Sequence, residues 1–179
     1  MPGTDDAILD ALTAEKPAVS FEFFPPKDDE GEEQLWQAID QLKELEPTFV
    51  SVTYGAGGTS QDRTIRITER IARESSVLPV GHLTLVGQST GEVETVLKQY
   101  VASGVNHVLA LRGDPVGGPR EPWVTHPDGM AHAIELVELA RRVGGLEVGV
   151  AAFPEGHPDA DGLELDADVL VAKAEAGAT

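Results

Sequence analysis

Five runs of apolar, mostly β-branched or aromatic residues recur along the chain: AVSFEFF (18–24), FVSVTYG (49–55), PVGHLTLV (79–86), HVLALRG (107–113) and EVGVAAF (147–153). They return every ~25 to 40 residues, the length of one βα unit. Between the runs the hydrophobic period changes from two to that of a helix. EEQLWQAIDQLKELE sets Leu35, Ile39, Leu42 and Leu45 on one stripe, and GEVETVLKQYVASG does the same with Val93, Val96, Leu97 and Tyr100. The pattern predicts further helices over about 60–74, 128–143 and 165–176, and a short leading helix around 5–14.

Strict strand–helix alternation means a parallel sheet with right-handed crossovers, hence an α/β fold. The strands are apolar on both faces, as in a sheet covered by helices. A doubly wound nucleotide-binding sheet would carry a glycine fingerprint after the first strand. Here that strand ends in FFPPKDDEGEE, which has none. The expected architecture is therefore a (βα)8 TIM-barrel type, incomplete, with five parallel strands and their helices. Residues 1–16 would form the leading segment and 17–179 the five units of one partial barrel domain. The final AKAEAGAT reads as a helix end capped at Gly177, with a further strand due to begin where the sequence stops. The fifth strand would keep an open edge, which favours self-association.

In such a barrel the active site lies at the C-terminal ends of the strands. Glu22 is near the end of the first, Thr53 and Tyr54 end the second, and His82 lies in the third. Arg112, Gly113 and Asp114 end the fourth, while Phe153, Glu155 and His157 follow the fifth. Alternation in VSFEFFPPK puts Val19, Phe21 and Phe23 on one face and Ser20, Glu22 and Phe24 on the other. A carboxyl group held among aromatic rings loses solvation of its charged form and can serve as a general acid. The alternative is a Glu22 that reaches water or pairs with a nearby Lys or Arg. Arg112 and Asp114 share the turn LRGDPVGGPR, where Gly113 allows a close backbone approach. YGAGGTSQDRT resembles a phosphate-cradling loop, though it lacks a Walker lysine and also reads as a plain βα loop. The five histidines show no metal spacing, and Trp36 and Trp123 read as packing residues.

Charge and composition narrow the partners. The chain has 31 acidic and 13 basic residues, a formal net charge of −18, which disfavours nucleic acid and requires any anionic cofactor to find cations locally. There is no cysteine, so disulfides, thiolate metal sites and cysteine nucleophiles are excluded. No run approaches the ~18 apolar residues of a membrane span. The acidic N-terminus lacks a secretory layout, and the expected location is cytoplasmic.

VSFEFFPPK, FVSVTYGAGGTSQDRT, PVGHLTLVG, HVLALRGDP and VGVAAFPEGHP together resemble the methylenetetrahydrofolate reductases, in family order. KAEAGA also matches the helix end before that family's next strand. The resemblance implies reduction of methylenetetrahydrofolate to methyltetrahydrofolate in one-carbon and methionine metabolism. It implies FAD as cofactor, NADH or NADPH as hydride donor, and a homo-oligomer for the complete enzyme. By resemblance Glu22 is the general acid that helps open the folate's one-carbon bridge, and Asp114 orients substrate and flavin. Thr53, Tyr54, Ala56, His82, Arg112, Gly113, Asp114, Phe153, His157, Ala160, Asp166 and Lys173 fall at cofactor-binding positions, with Arg112 and Lys173 as the cations. Phe153 stands where many relatives carry a tyrosine, and Val169 and Ala172 replace polar or basic residues. Two other readings remain at this point: a non-catalytic flavin-binding or oligomerising piece, and another flavin- or phosphate-binding barrel enzyme.

Overall fold

In the computed structural model the five apolar runs are five strands, each followed by a helix. The structure describes residues 7–54, 58–115, 117–118, 121–157 and 162–179. The elements are α1 (Ala7–Thr13), β1 (Ser20–Phe23), α2 (Asp29–Leu42), β2 (Phe49–Val52), α3 (Gly58–Glu74), β3 (Pro79–Thr84), α4 (Thr90–Ala102), β4 (His107–Leu111), α5 (Ala133–Val143), β5 (Glu147–Val150) and α6 (Leu163–Glu175). Two compact units share the chain: Met1–His82 with Gln99–Asn106, and Leu83–Lys98 with His107–Thr179.

In the first unit β1, β2 and β3 lie side by side in that order, all parallel. Phe21 is opposite Val50 and Phe23 opposite Val52. These residues face one way and pack on Leu35 and Ile39 of α2, Ile67 and Ile71 of α3, and Val77. Asp28 starts α2 by accepting the Gly31 N–H at 2.8 Å. The helix then ends at Leu42, and a short 3-10 turn closes at Glu46 with φ 48°. That early stop corrects the expected stripe: Leu35 and Ile39 are buried, but Leu45 is 62% exposed. On the outer side Arg63, Arg66 and Arg70 of α3 converge on Glu32 of α2, and the Arg70 guanidinium covers Trp36 at 4.1 Å.

In the second unit β4 pairs in parallel with β5, from His107 opposite Glu147 to Ala110 opposite Val150. Leu136, Val137, Leu139 and Ala140 form the buried side of α5. That helix begins at Ala133 rather than 128, because the preceding residues are occupied in a turn. Gly129 donates to the His126 carbonyl at 2.8 Å, and the Glu135 carboxylate accepts the N–H groups of Ala131 and His132, each at 2.8 Å. At the other end α6 closes as the sequence predicts. Gly177 has φ 110°, its N–H bonds the Ala174 carbonyl at 2.9 Å, and the Ala178 N–H bonds that of Lys173 at 3.0 Å. The chain then turns back on β5: Thr179 N–H donates to the Val148 carbonyl at 3.0 Å. No helix among the described residues is long and apolar enough to cross a membrane.

Candidate functional site

The first unit carries a polar row across its sheet. Parallel pairing sets Glu22 of β1 opposite Ser51 of β2, and Ser51 opposite Val80 of β3. Side chains alternate along a strand, so His82, two residues beyond Val80, returns to the same face. Glu22 Oε2 accepts the Ser51 hydroxyl at 3.3 Å and lies 3.4 Å from His82 Nε2. The expected enclosure of Glu22 by aromatic rings is not found. Its side chain is 53% exposed, since period two sends Phe21 and Phe23 to the opposite face, and Phe24 on its own face is 80% exposed. His82 is the buried member of the pair, 5% exposed. Burial holds its pKa below the usual histidine value, with the nearby Glu22 carboxylate partly opposing.

Thr53 and Tyr54 follow β2 in this unit, both half-buried. Thr53 N–H continues the ladder by donating to the Phe23 carbonyl at 2.9 Å, and its own carbonyl accepts the Thr64 hydroxyl at 2.9 Å. Ala56 and the glycines beside it, the heart of the expected phosphate loop, lie outside the described residues. Ala160 does too.

The second unit holds a cavity of about 630 Å³ beyond the C-terminal ends of β4 and β5. Arg112, Gly113 and Asp114 reach it from β4, and Ala151, Phe153 and His157 from the segment after β5. Leu165, Asp166, Val169, Ala172 and Lys173 reach it from α6, and His132 with Ile134 from the start of α5. All seven described cofactor candidates of this unit therefore border one space. Gly113 has φ 81°, and a Cβ there would meet Val86 Cγ2 at 2.7 Å and Thr84 Cβ at 2.9 Å. Only glycine fits that turn, which aims Arg112 and Asp114 at the cavity from either side. The Arg112 guanidinium also lies 5.1 Å from the Trp123 ring.

Two contacts shape the far wall. The Asp166 carboxylate accepts the His157 N–H at 2.7 Å, fixing the segment after β5 on α6. That places His157 edge-on to Phe153, with ring centroids 4.6 Å apart. Lys173 donates from Nζ to the Ala151 carbonyl at 2.9 Å. Burial lowers its pKa from the usual lysine value, while Asp166 counteracts that effect. The wall is mainly apolar, with two cations and a few polar groups at its edges. That pattern suits a flat organic ligand carrying anionic groups. Among the described residues no His, Asp and Glu groups gather as a metal site.

Sequence reasoning missed Ser51 and His132. Ser51 was legible as the one polar residue of FVSV, but its importance depends on register against Glu22. His132 gave no signal beyond a glutamate three residues later, as in a helix cap.

The family model described as methylenetetrahydrofolate reductase matches residues 7–179. The chain belongs to that family. A 5,10-methylenetetrahydrofolate reductase of Salmonella typhimurium is 39% identical over 160 residues, and that of Escherichia coli 40% identical over 160 residues. Each alignment covers 89% of this chain and 52% of the relative, so the chain spans about half the length of these curated relatives. A plant relative, methylenetetrahydrofolate reductase (NADH) 1 of Arabidopsis thaliana, is 38% identical over 184 residues, covering 97% of this chain and 31% of the relative. Among solved structures, 7,8-dihydropteroate synthase from Vibrio fischeri aligns with a TM-score of 0.56 at 13% identity, over 90% of this chain and 56% of that one. That likeness concerns the fold alone. Together with the five parallel strands it bears out the incomplete (βα)8 type expected from the sequence.

Proposed function

We propose that this reductase-family chain serves the conversion of methylenetetrahydrofolate to methyltetrahydrofolate in the cytoplasm, with FAD as cofactor and NADH or NADPH as the source of hydride. The observation that carries this reading is the second-unit cavity. Its volume lies within the ~300 to 1,000 Å³ of small-molecule sites, and its border includes Arg112, Gly113, Asp114, Phe153, His157, Asp166 and Lys173, which the family resemblance nominates. The apolar wall from Leu165, Val169 and Phe153 fits a planar ring system. Arg112 and Lys173 supply the positive charge that a diphosphate needs on a chain of net charge −18.

Bound there, FAD would supply hydride relay between the nicotinamide and the folate. The chain's own residues do the rest. Asp114, exposed at the cavity rim, would orient the pterin, and its charge would lie beside the bound cofactor. By the family resemblance Glu22 would be the general acid that delivers a proton to the bridge nitrogen, so that the one-carbon ring opens to an electrophilic iminium. Phe153, Val169 and Ala172 give the wall fewer polar contacts than many relatives have, and FAD affinity is correspondingly modest. The working enzyme is a homo-oligomer.

The test is an FAD titration of the purified chain followed by flavin fluorescence, with Arg112→Ala and Lys173→Ala beside it. Saturable binding, weakened about tenfold or more by either substitution, is the expected result, since each removes a charge-assisted contact. Nicotinamide oxidation that depends on methylenetetrahydrofolate then separates a reductase from a flavin-binding piece. A chain that binds no flavin under any condition overturns the reading.

A further inference from the structure

Ser51 is 4% exposed, within a strand whose neighbours Val50 and Val52 are core residues. Among the described residues its hydroxyl has one side-chain partner, Glu22 Oε2, and the same oxygen faces His82 Nε2. Three successive parallel strands thus bring one hydroxyl donor and one ring nitrogen to a single oxygen of a half-exposed carboxyl group. We propose that Ser51 and His82 are positioning residues for Glu22, holding Oε2 so that Oε1 is the oxygen that carries the proton to the substrate. The inference rests on the reading of Glu22 as general acid.

The chemistry is a simple proton transfer. The O–H bond at Oε1 breaks, an N–H bond forms on the bridge nitrogen, and the negative charge stays on the Glu22 carboxylate. The Ser51 hydroxyl already donates to that carboxylate and the His82 ring nitrogen lies 3.4 Å from it, so the charge meets fixed polar groups rather than waiting for solvent to reorganise. The ring of His82 must then carry its proton on Nε2, a tautomer assigned from its acceptor. Burial holds the pKa of this imidazole below the usual histidine value, so near neutral pH the contact is not a full ion pair. The exposure of Glu22 leaves Oε1 open to a ligand, which the buried carboxyl expected from sequence would not have been.

Two measurements test this. The first uses the chain alone: ¹⁵N shifts of the His82 ring in the parent, Glu22→Ala and Ser51→Ala proteins. The expected state is the Nε2–H tautomer, with an Nε2 signal that moves in Glu22→Ala. An Nδ1–H tautomer, or a signal indifferent to Glu22, overturns the proposal. The second is kinetic. Ser51→Ala should lower kcat for folate reduction about 3- to 10-fold with KM and the nicotinamide half-reaction unchanged, and Ser51→Thr should restore it. Equal loss in both half-reactions would mean a merely structural serine and would also overturn it. If the parent shows no folate-dependent turnover, the functional reading fails by itself, while the ring shifts still decide whether the clamp exists.

Discussion

Tyr100 packs directly against Gly81: a Cβ on that glycine would sit 2.7 Å from Cε2 of the ring. The ring is fully buried, so it cannot swing away. Gly81→Ala is therefore an overpacking substitution and should cost about 1–3 kcal/mol, read as a lower urea midpoint at constant slope. Adding Tyr100→Leu should recover part of that loss, because the removed ring atoms are those the new methyl meets.

Gly113→Ala should be worse. The residue needs positive φ and also has Val86 and Thr84 within 3.0 Å of the added carbon. Backbone strain and steric overlap together predict a loss of about 2–4 kcal/mol. Because the turn aims Arg112 and Asp114, FAD affinity should fall at temperatures where the variant is still folded. A variant with parent stability and parent affinity would contradict this account of the turn.

Asp166 ties the segment after β5 to α6 through the His157 N–H. Asp166→Ala should destabilise by about 1–3 kcal/mol, the cost of taking a charged acceptor from a partly buried N–H. Asp166→Asn keeps an acceptor and should lose less. Thermal melts of the two variants, with flavin titration, check the order; equal effects would assign the role of Asp166 to its charge.

His82 gives stability a pH dependence of definite sign. Its folded pKa lies below the ordinary 6.5, so the unfolded chain binds more protons in that window. Its contribution is fully present above 6.5 and is lost as pH falls through that value toward the folded pKa. Denaturant melts between about pH 7.5 and pH 5.5 should show falling stability, with a shallower slope in His82→Asn.

The excess of 31 acidic over 13 basic residues makes the folded chain repel itself. Raising salt from about 0.1 M to about 1 M shortens the Debye length from ~10 Å to ~3 Å and should raise Tm by several degrees. The Arg63, Arg66 and Arg70 pairs with Glu32 weaken under the same change, but they are few against the imbalance. A Tm that falls with salt would mean that these pairs dominate.

Much of this protein could be read along one dimension. The five β-branched runs became strands within a few residues of their predicted ends, because period-two and period-3.6 patterns are local properties of the chain. Gly177 and Gly113 were legible because a left-handed turn leaves glycine little competition. The cavity residues after β4 and β5 were legible through family motifs, and strand-end geometry brings them to one place.

What tertiary structure decided is every relation that depends on register or on a neighbouring element. Glu22 looks enclosed in FEFF, yet alternation separates it from Phe21 and Phe23, and pairing with β2 and β3 gives it Ser51 and His82 instead. The start of α5 moved to Ala133 because Glu135 caps the chain from inside the helix, a contact that the preceding sequence does not reveal. Local pattern sets which residues point the same way. Which of them meet is set by how strands are aligned, and that alignment is a property of the packed sheet.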